Sequence, residues 1–392
     1  MPDQTIKKCY KKSIELLEKN SSVFGSLACS EQKKAKERNY LGIFSRDASI
    51  CAMGMISTKN KALIRLAKRS LLTLSKHQAE DGEIPNYVKP ELPYTDFWRL
   101  GSVDATLWWL IALDFYNKNS GDKKLKTKLD KKIKKAIIWL RAHEHNKDFL
   151  LVQGEASDWA DIMPRNGRVL YSNALWYHVK ELYKVKEKTL TRRNFNLLFH
   201  PYDKISNKIP KSITSTIKMM HHSKNKDRYY KSFVSYKYWG DDCDVYGNSL
   251  AILFGLAKPD FKKDIFKFIN KQKIITGFPV PAMFKPIKEN HVLWREYMKN
   301  HHQNYPHQYH NGGTWPYISC FYAMALKKDG QTKEAKLELY KTAKLNERNN
   351  WRFSEWFHSR TGQAHGMSGQ SWNAGAFLLA YHYLYNDINI NT

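Results

Sequence analysis

The chain has 392 residues, of which 42% are hydrophobic and 14% aromatic, so it can bury a large core. It carries 65 Lys and Arg against 37 Asp and Glu, a formal net charge of +28. No stretch approaches the roughly 20 apolar residues needed to cross a bilayer, which excludes a transmembrane helix.

The positive charge raises the possibility of an anionic partner such as nucleic acid, an acidic glycan or a membrane surface. Much of it is Lys in short clusters, for example over residues 123–135, within patterns typical of amphipathic helices. Such clusters indicate solvated outer faces, and no arginine-rich arm or nucleic-acid motif accompanies them. We therefore expect neither a nucleic-acid nor a membrane partner, and the sequence leaves the oligomeric state open.

The five cysteines are odd in number, far apart and without a Cys-x-x-Cys pair: Cys9, Cys29, Cys51, Cys243 and Cys320. This spacing argues against a zinc site or a dense disulfide framework and fits a reducing compartment. The first four residues lack an apolar signal region. We expect a cytoplasmic protein with no metal and no cofactor.

Two kinds of helical pattern alternate along the chain. Amphipathic patterns cover 6–17, 60–77, 125–142, 260–269 and 333–345. Small or strongly apolar patterns, typical of helices buried on all sides, begin at 48, 103, 171, 244, 317 and 371. The lysine-rich segment 184–231 has weaker periodicity and is predicted to include extended loops.

This alternation predicts an all-α fold, an (α/α)6 barrel of about twelve helices in a single domain spanning residues 1–392. Inner helices would pack on both sides, and outer helices would be wet on one face. An open helical solenoid is the alternative, but no fixed sequence period supports it.

Three acids and a tryptophan fall within residues 154–165, between two apolar segments. A proline and a glycine block a continuous helix there, so Glu155, Asp158 and Asp161 are predicted on a loop that enters a helix. Catalytic groups concentrate on such loops. The alternative is a solvated acidic loop in which Asp158 or Asp161 caps the helix.

Other polar and aromatic residues also precede the apolar helices and should therefore gather at one end of the barrel. Flat aromatic faces suit the apolar faces of sugar rings, and carboxylates can accept sugar hydroxyls. The residues predicted to line one pocket are Arg46, Asp47, Asp104, Trp159, His310 and Trp315. Helix caps and a structural histidine are the alternatives for the acids and for His310.

These motifs, taken in order, resemble the (α/α)6-barrel inverting glycoside hydrolases, which include neutral/alkaline invertases, glycogen-debranching α-1,6-glucosidases and trehalase-like α-glucosidases. They span most of the chain, and each is weak alone. The segments that carry the resemblance are Phe44-Ser45-Arg46-Asp47, Val103-Asp104-Ala105-Thr106, Asp158-Trp159-Ala160-Asp161, Asn173-Ala174-Leu175-Trp176, His310-Asn311-Gly312-Gly313-Thr314-Trp315 and Ser354-Glu355-Trp356-Phe357.

The resemblance implies Asp161 as general acid, Glu355 as general base, and Asn173 among the substrate-binding residues. Inversion needs a neutral acid and an ionised base roughly 6.5–9.5 Å apart. An apolar site would raise the pKa of Asp161, and Arg352 or Arg360 could keep Glu355 ionised. Glu155 and Asp158 remain alternatives for the acid.

The function implied is cleavage of an α-glucosidic bond in a disaccharide or small oligosaccharide, with a small carbohydrate as the partner. One alternative is another (α/α)6 sugar enzyme, such as an epimerase or an unsaturated uronide hydrolase. Another is a basic helical scaffold, whose partner binding would depend strongly on salt. Release of inverted hexose from a neutral disaccharide would separate the first hypothesis from both.

Overall fold

The computed structural model describes residues 2–98, 101–202, 211–221, 228–236, 238–272 and 274–390. These residues form fifteen α-helices, which account for most of the regular structure. In chain order they are α1 Gln4–Lys19, α2 Lys33–Glu37, α3 Ser45–Ser57, α4 Lys61–Lys76, α5 Val103–Asn119, α6 Lys124–Lys128, α7 Asp130–Ala142, α8 Leu170–Leu182, α9 Lys188–Phe199, α10 Lys211–His221, α11 Val245–Leu253, α12 Pro259–Asn270, α13 Pro316–Lys328, α14 Thr332–Arg348 and α15 Ser371–Tyr385.

Six helices form a closed inner barrel, α3, α5, α8, α11, α13 and α15, in which each packs against the next and α15 closes against α3. Their sequences explain this place. In α5, for example, every residue from Val103 to Tyr116 is buried, so this part of the helix has no solvent-exposed polar face. The predicted all-α barrel is confirmed. Among the described residues, no helix is long and apolar enough to span a membrane.

Amphipathic helices surround the inner barrel, and α4 packs against α3, α7 against α5, α9 against α8 and α14 against α13. In α7 the buried residues are Ile133, Ala136, Trp139 and Leu140. Lys131, Lys134 and Lys135 on the same helix are exposed. The lysine clusters are therefore solvated outer faces here, as the sequence pattern indicated.

The seam between the first and last inner helices depends on two glycines. A Cβ on Gly54 of α3 would lie 2.0 Å from the carbonyl oxygen of Gly375 of α15. A Cβ on Gly375 would lie 2.5 Å from the Cα of Cys51. Only hydrogen at both positions allows the two helix backbones to approach this closely.

Short antiparallel strands fix the loops at one end of the barrel. β1 Ile43–Phe44 pairs with β2 Tyr87–Lys89, which pairs with β3 Tyr94–Asp96; β4 Arg168–Val169 pairs with β5 Phe233–Val234; β6 Cys243–Asp244 pairs with β7 Met283–Phe284; and β8 Trp356–Phe357 pairs with β9 Ala364–His365. Because β1, β4 and β6 run directly into α3, α8 and α11, their pairing sets where these inner helices begin.

One detail of the helix prediction was wrong, and one segment was only partly described by it. The pattern over 125–142 is divided between α6 and α7 at Leu129. The segment 184–231, predicted to include extended loops, contains α9 and α10 together with non-helical residues at 184–187, 200–202 and 228–231, and 203–210 and 222–227 lie outside the described residues. The hydrophobic periodicity of α9 is weak because the helix buries polar residues. Asn194, for example, donates to the Asp148 carbonyl at 2.8 Å.

Candidate active site

A largely buried arginine and two carboxylates occupy the starts of α3 and α5. Nη1 of Arg46 donates to both carboxylate oxygens of Asp104, at 3.1 and 3.0 Å, and its Nε lies 3.8 Å from Asp47. Asp104 also accepts from Tyr171 Oη at 2.9 Å and from Ser102 Oγ at 3.2 Å. Asp104 is therefore a fixed carboxylate of a buried network rather than a helix cap.

An aromatic wall stands beside this cluster. The ring centroid of Trp159 lies 4.9 Å from His310 and 5.6 Å from Trp315, and His310 stacks on Trp315 at 5.4 Å. Among the described residues, the buried Trp159 Nε1, His310 Nδ1 and Arg46 Nε have no hydrogen-bond partner. Buried polar atoms are normally paired, so three buried nitrogens without hydrogen bonds in one cluster mark it as a candidate functional site.

Asp161 lies beside this wall, with Oδ1 3.9 Å from His310 Nδ1, and 39% of its side chain stays accessible. Burial raises its pKa to about 7; Arg46 opposes the shift, and the charges of Glu355 and Asp158 add to it. Burial also holds the pKa of His310 well below its usual value, so its imidazole is neutral. Asp161 can therefore carry a proton near neutral pH.

Glu355 is buried directly before β8 and accepts two hydrogen bonds. Tyr40 Oη donates to Oε1 at 2.9 Å, and the Met367 N–H donates to Oε2 at 2.8 Å. Gly366 permits this geometry, because its φ is +76° and a Cβ there would lie 2.2 Å from Oε2. Burial raises the pKa of Glu355, while these donors and the charge of Lys34 lower it.

The partners of Glu355 differ from those expected. The sequence suggested Arg352 or Arg360, but the first is exposed and the second lines a different cleft. Instead, Tyr40, which lies 315 residues earlier in the sequence, donates a hydrogen bond to Glu355. It precedes β1 in an irregular stretch, and no periodicity or motif in the sequence pointed to it.

The other acids of the 154–165 loop are held by several donors. Glu155 accepts from Arg295 Nε at 2.9 Å and from the Tyr297 hydroxyl. Asp158 accepts from Gln153 Nε2 at 2.9 Å and from Arg165. Among the described residues, no donor lies within hydrogen-bond distance of the Asp161 carboxyl, which favours Asp161 as the proton carrier of the loop.

Asn173 must be removed from the predicted substrate-binding set. Its Oδ1 accepts from the Leu151 N–H at 2.7 Å, and its Nδ2 donates to the carbonyls of Leu151 and Val169 at 3.1 and 2.9 Å. It is fully buried, and backbone groups occupy both ends of its amide. Asn173 therefore anchors the chain that leads into the acidic loop.

Arg165 ties the acidic loop to α11, a role that sequence reasoning missed. Its Nη1 donates to the Asp244 carboxylate at 3.0 Å, its Nη2 donates to Asp158, and its guanidinium lies 5.6 Å from the Trp159 ring centroid. All three charged side chains are almost completely buried. The bridge spans loops that are far apart in sequence, so no local pattern could have revealed it.

We expect Arg165→Met to destabilise the fold by about 3–5 kcal/mol, because it leaves two buried carboxylates without their cation. Urea denaturation at pH 7 measures the loss. Arg228→Met is the matched control, since its bridge to Asp264 is 61% and 43% exposed and should contribute about 1 kcal/mol or less. Equal stability of the two variants would contradict the structural role of Arg165.

Tyr40→Phe should shift the acidic limb of the pH–rate profile to higher pH. The hydroxyl stabilises ionised Glu355, so its removal raises the pKa of that carboxyl further above its usual value. We expect roughly a tenfold loss of kcat/KM at neutral pH. Tyr238→Phe, at a tyrosine that is 48% exposed, is the control. A lower rate with an unmoved limb would show that Tyr40 contributes packing alone.

Residues 38–379 match the family described as amylo-α-1,6-glucosidase. Alkaline/neutral invertase C, mitochondrial, from Arabidopsis thaliana is 21% identical over 346 residues, covering 77% of this chain and 51% of the invertase. Neutral/alkaline invertase 1, mitochondrial, from Oryza sativa subsp. japonica is 23% identical over 330 residues, covering 74% and 52%. The chain spans about half the length of these relatives.

Solved structures share the fold. The mannosylglycerate hydrolase of Thermus thermophilus in complex with Tris superposes with a TM-score of 0.69 at 14% identity, covering 95% of this chain and 99% of that one. A bacterial glucoamylase complexed with acarbose gives 0.63 at 13% identity, covering 100% and 57%. Since the family match covers most of the chain, the resemblance seen in the sequence is confirmed: the chain belongs to the amylo-α-1,6-glucosidase family.

Proposed function

We propose that the protein is an inverting glycoside hydrolase that cleaves an α-glucosidic bond in a disaccharide or small oligosaccharide. The observation that carries this proposal is that two carboxyls in unlike environments lie close enough for the charge of Glu355 to raise the pKa of Asp161. Asp161 accepts no hydrogen bond from the described residues and has a pKa near 7, whereas Glu355 accepts two. When the environment favours the protonated form of one carboxyl and donates hydrogen bonds to the other, one site can contain both a general acid and a general base.

In the proposed reaction Asp161 donates its proton to the glycosidic oxygen as the bond to the anomeric carbon breaks. Glu355 takes a proton from a water molecule, whose oxygen attacks the anomeric carbon from the opposite face. The products are the free alcohol and a sugar of inverted configuration, with Asp161 ionised and Glu355 protonated. Proton exchange with solvent restores both groups for the next turnover.

The remaining polar groups suit a neutral sugar. Arg46 and Asp47 would contact hydroxyls, and Asp104 holds Arg46 in place through two hydrogen bonds. The aromatic wall of Trp159 and His310 would pack against the apolar face of the sugar ring. Trp315 supports this wall from behind, since its own indole N–H donates to the Tyr309 carbonyl at 2.8 Å.

A panel of α-linked substrates tests the proposal. Purified protein is incubated with sucrose, trehalose, isomaltose, panose and a glucosylated small acid, and proton NMR follows the anomer that appears first. We expect β-glucose from at least one α-glucoside. Release of α-glucose would overturn the inverting mechanism, and absence of hydrolysis across the panel, with isomerised sugar instead, would overturn the hydrolase assignment.

We also propose a cytoplasmic location. The five cysteines are all free and buried, which suits a reducing compartment. The Arabidopsis and rice relatives above carry mitochondrial names, so the location needs its own measurement. Cell fractionation with an antibody against the native protein would decide it, and recovery from an organelle or the medium would contradict the proposal.

A further inference from the structure

A cleft of about 1000 Å³ opens beside the loops that precede α11, α13 and α15. Neither Asp161 nor Glu355 lines it. Its floor is apolar and includes the buried residues Phe284, Ile287 and Leu293. A concave site of this size with an apolar floor is typical of ligand-binding pockets.

One loop separates this cleft from the acidic loop that carries Asp161. Asn304 donates to the Ile162 carbonyl at 2.8 Å on the side of the acidic loop. Asn311 accepts from the Ile287 N–H at 2.8 Å on the side of the cleft. His307 lines the cleft, whereas His310, three positions later, faces Asp161. The two sites therefore adjoin, and Asp242 and Met283 line both the cleft and the small cavity beside Trp159 and His310.

The rim of the cleft is basic. Lys271, Lys288 and Arg360 line it, and among the described residues no carboxylate lies within ion-pair distance of these three. Lys285 also lines the cleft and lies 5.0 Å from the Tyr229 ring centroid. Because the whole chain is basic, positive charge alone would not indicate a binding site. In this cleft, however, the positive charges surround an apolar floor.

The acidic residues of the cleft are already engaged. Asp241 pairs with Lys231, and Asp242 accepts from Ser232 Oγ at 2.7 Å. Asp242 also lines the small cavity beneath Trp159, so it lies toward the inner end of the cleft. The unpaired cations of the rim consequently determine the sign of the potential that a ligand meets at the mouth.

We propose that this cleft binds a carbohydrate that carries one anionic group, either a phosphate or a carboxylate. The apolar floor would contact the C–H face of the sugar ring, and Lys288 and Arg360 would bind the anion. Gln272, Asn290 and Ser359 supply hydrogen-bonding groups for hydroxyls. A bare anion would use none of the floor, and a neutral sugar would use none of the rim.

Isothermal titration calorimetry tests the proposal with four probes: glucose 6-phosphate, glucuronate, glucose and inorganic phosphate. We expect one or both of the anionic sugars to bind at least tenfold more tightly than glucose or phosphate, and more weakly as salt rises. Binding of the phosphate sugar alone or of the uronate alone identifies the anion. The double variant Lys288→Gln/Arg360→Gln should weaken that binding by about fivefold or more.

The control variant Lys61→Gln/Arg69→Gln removes the same charge from the exposed face of α4 and should leave binding unchanged. Equal weakening by both double variants would reduce the effect to net charge and overturn the site. The proposal also fails if glucose or inorganic phosphate binds as tightly as the anionic sugars, if none of the probes binds, or if Lys288→Gln/Arg360→Gln leaves their affinity unaltered.

Discussion

Asp161→Asn should lower kcat by about 10²–10⁴-fold while leaving the fold intact, because asparagine keeps the shape of the side chain but cannot donate the proton. In the wild-type protein kcat/KM should also fall as pH rises above about 7, where Asp161 loses its proton. The residual activity of the variant should lack this alkaline limb. Steady-state kinetics across pH 5–9, on whichever α-glucoside is cleaved, measure both effects.

Two controls test the role of Asp161: a substrate with a better leaving group, and a substitution of a neighbouring acid. An aryl glucoside with a low-pKa phenol needs no protonation, so its cleavage should be far less sensitive to Asp161→Asn. Glu155→Gln in the same loop should cost less than about tenfold, since that carboxylate is held by Arg295 and Tyr297. An alkaline limb that persists in Asp161→Asn would assign it to Asp47, whose pKa burial also raises to about 7.

Glu355→Gln should also reduce kcat by about 10²–10⁴-fold, because glutamine cannot accept a proton from the attacking water. The amide oxygen can accept from the Met367 N–H while the NH2 group donates to the Tyr40 hydroxyl, so the loop before β8 should keep its position. Circular dichroism and thermal melting would verify that the fold is unchanged. The acidic limb of the pH–rate profile, which under the proposed mechanism reports the ionisation of Glu355, should disappear.

Azide separates the role of Glu355 from that of Asp161. It is a nucleophile that needs no general base, so it should raise turnover of Glu355→Gln and give a glucosyl azide of inverted configuration. It should not restore Asp161→Asn with a natural leaving group. An azide response in Asp161→Asn but not in Glu355→Gln would reverse the two assignments.

The barrel could be predicted from sequence because its two kinds of helix have different environments. Residues 103–116 are mostly apolar, with large apolar side chains on every face, and lie in the inner barrel, whereas residues 130–142 have one apolar and one charged face and lie outside it. Each pattern reports its own surroundings within a few turns. The same logic placed Arg46, Asp47, Asp104 and His310 at one end of the barrel, since each precedes or begins an inner helix.

The supports of the site could not be predicted, because they act across long sequence separations. Tyr40 reaches Glu355, and Arg165 reaches Asp244, through contacts that no local pattern encodes. For Asn173 the sequence motif predicted a ligand contact that the structure does not support. Both ends of its side-chain amide form hydrogen bonds with the backbone of Leu151. Only the folded geometry distinguishes a residue that faces the pocket from one that holds its wall.

The glycine seam between α3 and α15 has a consequence for the order of folding during synthesis. The helix that carries Asp47 leaves the ribosome long before Gly375, its closing partner, has been made. Until then the apolar faces of the inner helices at the open edge have no neighbour, and such surfaces favour aggregation or chaperone binding. A nascent chain arrested before α15 should therefore be protease-sensitive at α3, and release of the complete chain should protect it.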